Sequence, residues 1–164
     1  MHRLMTIGVA ATVISTLGCQ STQERPPQQA AFSMQEFKAH HGEIKEHLGH
    51  IDLMTQRLAG EPPEKQRETM AFVVRFLREH ILTHAADEEA TLYPMADDKA
   101  GPRITASMRY EHGVLAAWVT ELGRIASSPS PDIAAFVRRA QRALGLLEAH
   151  FGAEEEVIAP VVAG

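Results

Sequence analysis

Two stretches of the chain decide the fold: His84-Ala-Ala-Asp-Glu88-Glu89-Ala-Thr-Leu-Tyr-Pro94 and His150-Phe-Gly-Ala-Glu154-Glu155-Glu-Val-Ile-Ala-Pro160. Both follow the pattern H-x3-E-E-x4-P, and they align without a gap. Residues four apart on a helix point the same way, so each stretch predicts a helix that presents a histidine beside a glutamate.

Each stretch is preceded by a partner histidine in a similar local setting. His41 begins His41-Gly-Glu-Ile44, and His112 begins His112-Gly-Val-Leu115. The order of one histidine followed by an H-x3-E pair therefore occurs twice, once in each half of the chain. This repetition predicts a single site to which both halves contribute.

The composition favours a helical protein with one ordinary domain. Aromatic residues make up 5% of the 164 residues, and long runs of β-branched residues are scarce. The formal net charge is −5 and no basic block occurs, so nothing in the sequence indicates nucleic-acid binding. Since no segment alternates as a strand does, the sequence predicts an all-α fold.

Apolar residues at helical spacing predict four helices. The first begins at a capping box, S-M-Q-E, that starts at Ser33, and it stops near Gly60. The second is predicted to run from Pro63 to Pro94, and residues 97–101 are predicted to form a turn.

The last two helices are also marked by proline. The third is predicted to begin beside Pro102, and the fourth has Ser130 as its cap and Pro131 as its first residue. Short connections between four helices favour an up-down-up-down antiparallel four-helix bundle.

Six side chains with metal-binding chemistry fall on the apolar stripes of these helices. They are His41, His84, Glu88, His112, His150 and Glu154. A rise of about 1.5 Å per residue, counted from the helix ends, places them at similar depth in an antiparallel bundle. Buried without partners they would cost several kcal/mol, a large part of the net stability of a domain. A pair of metal ions removes that cost, so the sequence predicts metal binding.

The set of ligands favours iron over zinc. Structural zinc sites are closed and often contain cysteine, whereas Cys19, the one cysteine of the chain, lies near the N-terminus, far from the six residues. Two metals that share two carboxylates and take two histidines each keep open coordination positions, which suits iron. We therefore expect two iron ions in an oxo- or hydroxo-bridged centre.

The N-terminus resembles a bacterial lipoprotein signal. A basic residue precedes an apolar run from Leu4 to Leu17, and Gly18 stands before Cys19, although Thr16 occupies a position where such signals prefer leucine. The resemblance implies that Cys19 is lipidated after cleavage. An ordinary secretory signal or an uncleaved anchor is the alternative.

This reading divides the chain into three parts. Residues 1–18 are predicted to be a signal peptide, residues 19–32 a flexible tether rich in Gln and Pro, and residues 33–160 the helical domain. The predicted location is the bacterial cell envelope or periplasm, with a lipid anchor in the membrane. The oligomeric state is left open.

The six residues in this order resemble the hemerythrin-like (HHE cation-binding) domain, over about residues 33–160. The resemblance implies that His41 and His84 bind one iron and that His112 and His150 bind the other. It further implies that Glu88 and Glu154 bridge the two metals. Oxygen-carrying members have a fifth histidine one turn after the ligand of helix three, where this chain has Ala116. The chain is therefore more similar to bacterial members linked to nitric oxide stress, iron handling and repair of iron–sulfur centres.

Several neighbours could take other roles in the site. His41 has a better phase than His40 with the apolar residues that follow it. His80 is a possible extra ligand, but a polar edge position is favoured. Glu89 and Glu155 are expected to be solvated rather than coordinating, and Glu111 is expected either to orient an imidazole or to face solvent.

Three functions share these ligands. The first is binding of O2 or NO at the cell envelope. The second is redox catalysis on peroxide or NO, and the third is iron handling or donation. Gas binding needs an apolar pocket beside the metals, and we expect the following side chains to line it: Ile44, Leu48, Leu115 and Leu147.

Overall fold

The computed structural model of the protein describes residues 32–164. That part of the chain is almost entirely helical and contains no strand, so the all-α prediction is confirmed. Its α-helices are, in chain order, α1 (Met34–Arg57), α2 (Pro63–Phe76), α3 (Leu82–Ala90), α4 (Leu92–Ala100), α5 (Ala106–Ala126), α6 (Ile133–Ala153) and α7 (Ala159–Ala163).

The long helices pack side by side into a bundle. Helix α6 packs against both α1 and α5, and α5 also packs against α2 and α3. Helix α1 lies along α2 and α3, where the ring of His47 lies against Phe76 of α2 and the ring of His41 lies against His84 of α3. The main core between the helices is aliphatic; its completely buried members include Leu58, Met70, Val73, Leu122 and Phe136.

A second, smaller core closes one end of the bundle. It is formed by α4, the start of α5, α7 and the segment Glu154–Ile158 that precedes α7, and its buried members are Leu92, Tyr93, Ala96, Met108, Ile158 and Val162. Lys99 donates a hydrogen bond from Nζ to the carbonyl oxygen of Val162 at 2.7 Å, which ties α4 to α7. This end cluster lies directly beside Glu154 and therefore covers the site described below.

The start of α1 is as predicted. The Oγ of Ser33 accepts a hydrogen bond from the backbone N–H of Glu36 at 3.3 Å, so Ser33 satisfies one of the free amides of the first turn. At the other end α1 finishes at Arg57 and a short 3-10 helix, Leu58–Gly60, leads to Pro63.

The predicted end of the second helix at Pro94 is wrong. The chain breaks instead at Thr91 (φ −124°, ψ −64°), and Pro94 lies inside the first turn of α4. Proline fits a first helical turn because its missing N–H has no intrahelical acceptor there. The turn predicted over residues 97–101 is likewise wrong, since α4 continues to Ala100 and only Gly101, with φ 87°, leaves the helix.

The predicted starts of the third and fourth helices are also displaced. Helix α5 begins at Ala106, several residues after Pro102. Helix α6 begins at Ile133, and its cap is Asp132, whose Oδ1 accepts from the backbone N–H of Ala135 at 2.9 Å. Pro160 lies in the first turn of α7, a position that proline tolerates.

Two five-residue π-helical segments interrupt the helices that carry the H-x3-E pairs. Leu77–Ile81 joins α2 to α3 just before His84, and Glu154–Ile158 joins α6 to α7 and starts at a predicted ligand. A π-helical turn contains more residues than an α-helical one, so it changes which side chains face the core, and such segments often occur at functional sites.

Within residues 32–164, no helix combines the length and the apolar composition needed to cross a membrane. The predicted signal peptide over residues 1–18, the lipidation of Cys19 and nearly all of the tether lie outside the described residues.

Candidate metal centre

The structure brings all six predicted ligand residues together in one buried layer. They form two overlapping groups, and in each group the potential ligand atoms lie within 4.8 Å of one another. The groups are His41, His84, Glu88 and Glu154, and Glu88, His112, His150 and Glu154. Glu88 and Glu154 belong to both groups, which is the arrangement that two bridging carboxylates require.

Glu88 lies among three imidazoles that come from three different helices. Its Oε1 is 2.9 Å from Nε2 of His84 and 3.4 Å from Nε2 of His41, and its Oε2 is 3.5 Å from Nε2 of His112. His84 and Glu88 share α3, where the four-residue spacing aligns them. Both oxygens of this carboxylate are thus directed at potential ligand nitrogens.

Glu154 occupies the corresponding position at the C-terminal end of α6. Its Oε2 is 3.6 Å from Nε2 of His41, and its Oε1 is 3.4 Å from Nε2 of His150. The Nε2 atoms of His112 and His150 are only 3.0 Å apart. Two nitrogens and the carboxylate oxygens therefore converge on one small volume, as ligands of a common cation do.

The donor atoms fit a metal pair. Among the residues that the structure describes, Nε2 of His84, Oε2 of Glu88 and Oε2 of Glu154 are buried without a hydrogen-bond partner, although the first lies close to Glu88. An unsatisfied buried polar atom costs about 1–3 kcal/mol, and more when it is charged. Three such atoms in one layer are expected where cations supply the missing interactions. Imidazole nitrogen and carboxylate oxygen also match the ligands that iron accepts.

The electrostatics of the cluster support its affinity for positive charge. Burial opposes ionisation of Glu88, but the neighbouring imidazoles of His112, His41 and His84 hold its pKa well below the ordinary value. Burial also opposes protonation of His150, yet Glu154 and Glu111 raise the pKa of His150 to about 9. Glu88 thus remains anionic and stabilises a cation beside it.

Three of the four histidines have a carboxylate on the far side of the ring. The Nδ1–carboxylate distances are 3.1 Å for His41 with Glu155, 2.9 Å for His112 with Glu89, and 2.8 Å for His150 with Glu111. A carboxylate that accepts from Nδ1–H leaves Nε2 free as the ligand atom and fixes the ring. Glu89 and Glu155 were expected to be solvated rather than coordinating. Their side chains are 41% and 21% exposed and neither belongs to the two ligand groups, but each contacts the far side of an imidazole. Glu111 orients an imidazole, one of its two expected roles.

Tyr93 is a site residue that the sequence reasoning missed. Its side chain is completely buried, and its hydroxyl donates to Oε1 of Glu154 at 2.5 Å and lies 3.3 Å from Nε2 of His112. Burial first, and then the negative charge of Glu154, raise the pKa of Tyr93 well above its usual value, so the phenol stays protonated. Tyr93 follows the break at Thr91, so the apolar periodicity of the preceding helix did not indicate that its side chain faces the site.

The remaining histidines near the site lie outside the two groups. His40 is exposed, and its ring packs edge-on against His84 with the centroids 4.9 Å apart. His80 is exposed and packs against Phe76 instead. A crevice too narrow to hold a water molecule lies against the cluster; of the four expected lining residues it includes Leu115 and Leu147, but not Ile44 and Leu48.

Fold and geometry together define a helical bundle built around a buried His/Glu site that could hold metal ions. The family model described as Hemerythrin HHE cation binding domain matches residues 34–162. The chain therefore belongs to the hemerythrin HHE cation-binding family. Comparisons with curated proteins and with solved structures gave no match.

Proposed function

We propose that this protein is a non-haem di-iron protein that binds O2 or NO. The observation that carries the proposal is the pair of overlapping ligand groups that share Glu88 and Glu154. A cation-binding family membership supports a metal at this place. Nitrogen-rich, carboxylate-bridged sites with open positions favour iron.

In this proposal each of the six residues has one role. His41 and His84 would hold one iron, His112 and His150 would hold the other, and Glu88 and Glu154 would be shared between them. Iron held there would supply affinity for a small gas and reversible redox chemistry. The protein supplies the arrangement of the ligands and their surroundings.

The residues around the ligands prepare the site for a small uncharged molecule. Glu89, Glu111 and Glu155 fix the imidazole rings through Nδ1. The narrow crevice beside the cluster is bordered by the ligand residues themselves and, on its apolar side, by Leu115, Leu147 and Phe151. An apolar lining next to metal ligands favours a gas over an ion, because a charged molecule loses more hydration on entering it.

The order of contacts along the helices supports an up-down-up-down bundle. His41 on α1 contacts His84 on α3, whereas His47, later on α1, contacts the earlier residue Phe76 on α2. These contacts run in opposite directions along the two helical segments. Contacts between α5 and α6 also run in opposite directions, since Glu111 meets His150 whereas Glu121 meets Arg139.

We further propose that the protein acts at the bacterial cell envelope as a lipoprotein anchored through Cys19. The support is the apolar stretch that ends at Gly18 and Cys19. A small domain at this place meets diffusing gases before they reach the cytoplasm.

Anaerobic gas titration tests the proposed function. The iron-loaded, reduced protein is mixed with NO or O2 in the absence of any electron donor, and the visible spectrum is recorded. A stoichiometric spectral change that reverses when the gas is removed is expected. The Glu156→Gln variant, whose altered side chain is exposed and outside the site, serves as the control and should behave as the wild type.

Two outcomes would replace gas binding by another function. Repeated consumption of peroxide or NO when an electron donor is present would establish a redox enzyme. Loss of the iron to a weak chelator, without any spectral response to gas, would favour iron handling.

A further inference from the structure

The four histidines of the site are not supported equally. His112 and His150 each face a carboxylate through Nδ1, from Glu89 and Glu111. Within residues 32–164, neither of these glutamates has a lysine or arginine within ion-pair distance. The His112/His150 half of the site therefore has two outer negative charges that no described cation compensates.

The other half of the site has no such uncompensated charge. His41 does face Glu155, but Nζ of Lys45 lies 2.7 Å from the same oxygen, Oε1, that is 3.1 Å from Nδ1 of His41. The lysine offsets the charge of this carboxylate. Its side chain is 38% exposed, so the pair reaches the surface of the bundle.

His84 lacks a carboxylate on its far side. The described hydrogen bonds and ion pairs of its ring include no acceptor for Nδ1, and its neighbours are the rings of His40, His41 and Phe151. With 10% of its side chain exposed, it is also the most exposed of the six residues. Its imidazole is thus the least constrained ligand of the set.

These differences act in the same direction on a bound cation. Outer carboxylates raise the basicity of the histidines they contact and restrict ring rotation, and loss of one such partner typically reduces metal affinity about 10- to 100-fold. Tyr93 lowers the metal affinity of the His112/His150 half, because its hydrogen bond withdraws charge from Glu154. One bond from a neutral hydroxyl is a smaller effect than two full charges.

We propose that the two metal positions differ in affinity, so that the His112/His150 position is filled first and the His41/His84 position exchanges its metal. This inference rests on the proposed paired site and deepens it. A tight position next to an exchangeable one makes the second metal dependent on the iron supply of the surroundings. His84, with its exposed edge, lies where that metal enters and leaves.

The test is a titration of the metal-free full chain with ferrous iron under anaerobic conditions. Native mass spectrometry counts the ions on each chain, and competition with a chelator gives both dissociation constants. We expect two steps separated by about 10-fold or more. At one equivalent of iron, well over half of the chains should hold a single ion, whereas two equal and independent positions would give half.

Variants of the outer residues assign the steps to positions. Glu111→Gln keeps an oxygen acceptor for Nδ1 of His150 but removes its charge, so it should weaken the first step and leave the second unchanged. Lys45→Gln frees the charge of Glu155, so it should strengthen the second step. Glu156→Gln removes an exposed charge of the same sign and should change neither step. Opposite responses of two steps cannot arise from a general loss of folding.

Failure of the inference and failure of the proposed site give different results. Binding of two ions with equal affinity, or a Lys45→Gln variant that does not alter the second step, would refute the inference and leave the paired site intact. Absence of any bound iron would refute the paired site itself.

Discussion

Glu88 and Glu154 are the residues on which the site depends most, because between them they approach all four histidines. The sequence predicted both, since the H-x3-E spacing lies within one helix and requires no knowledge of packing. It could not predict which groups contact the far sides of the rings. Glu111 meets His150 across two helices, and such a contact follows only from how the helices pack.

Removing a shared carboxylate should destroy the pair. Glu88→Ala deletes a group common to both ligand groups, so we expect at most one weakly held metal per chain, measured by metal analysis after dialysis. Glu89→Ala removes only an outer partner and should retain two metals when iron is in excess. If Glu89→Ala alone abolished metal binding, the assignment of Glu88 as the bridge would be wrong.

Tyr93→Phe should weaken the domain through a single hydrogen bond. The phenol is completely buried and its bond to Glu154 has a charged acceptor, so the free energy of unfolding of the metal-free protein should fall by about 2 kcal/mol. Urea denaturation measures the change. Tyr110→Phe, at a side chain that is 73% exposed, should stay within about 0.5 kcal/mol of the wild type.

At the scale of the elements, the sequence predicted four helices but not the π-helical segments and the break at Thr91 that interrupt them. Apolar periodicity continues across Leu77–Ile81, with buried Leu77, Ile81 and Ala85 spaced by four residues each. That spacing is compatible with a regular helix, so it did not distinguish a π-helical segment. Likewise Pro94 was a sound signal for an interruption, but the interruption falls before it, at Thr91, because proline tolerates the start of a helix.

The π-helical segment should absorb a deletion that a regular helix cannot. Removing the exposed Glu79 lets Leu77–Ile81 become α-helical while the flanking residues keep their faces, so iron content should be retained. Removing the exposed Ala117 from the regular helix α5 rotates the part of α5 after the deletion by about 100° relative to the part before it, and this should abolish iron binding. Loss of iron in both deletions, with helical circular dichroism preserved, would contradict this interpretation.

The start of α5 is fixed to α4 by Asp97. Its Oδ1 accepts from Oγ1 of Thr105 at 2.6 Å and its Oδ2 pairs with Arg109 at 3.0 Å. The bond from Thr105, together with Arg109, holds the pKa of Asp97 below the ordinary value of 3.8. A carboxylate whose pKa is lower in the folded state than in the unfolded state stabilises the protein at pH values above its ordinary pKa. This stabilisation is lost as the pH falls through the folded-state pKa.

Asp97→Asn should therefore unfold more easily than the wild type at neutral pH, and the difference should shrink once the pH falls below 3.8. Denaturant titrations at several pH values measure the difference. The neighbouring exposed Asp98, changed to Asn, is the matched control and should leave the profile unaltered. A constant difference between Asp97→Asn and the wild type at every pH would exclude the ionised carboxylate as the source.

For the whole molecule, one buried polar layer inside an aliphatic bundle carries the proposed function. The sequence sufficed to place the six predicted ligand residues in that layer, because all of them lie on apolar stripes. The end cluster of α4 and α7 was not predicted, since its contacts join segments far apart in the chain. The predictions for residues 1–31 concern a part of the chain outside the described structure and remain predictions.

Iron should stabilise the folded chain against heat. Buried atoms such as Oε2 of Glu88 have no partner among the described residues, so metal binds the folded state in preference to the unfolded one. The unfolding temperature measured by calorimetry should rise with the concentration of free iron and fall when a chelator is added. A variant without the bridge, Glu154→Ala, should show little of this dependence.

The central claim is that the layer of histidines and glutamates holds a pair of irons. The most direct measurement is the metal content of protein purified with iron supplied, together with its visible spectrum before and after exposure to air or NO. About two irons per chain, with an absorption band that changes on exposure, is the predicted result. One tightly held zinc, or no metal at all, would contradict the claim.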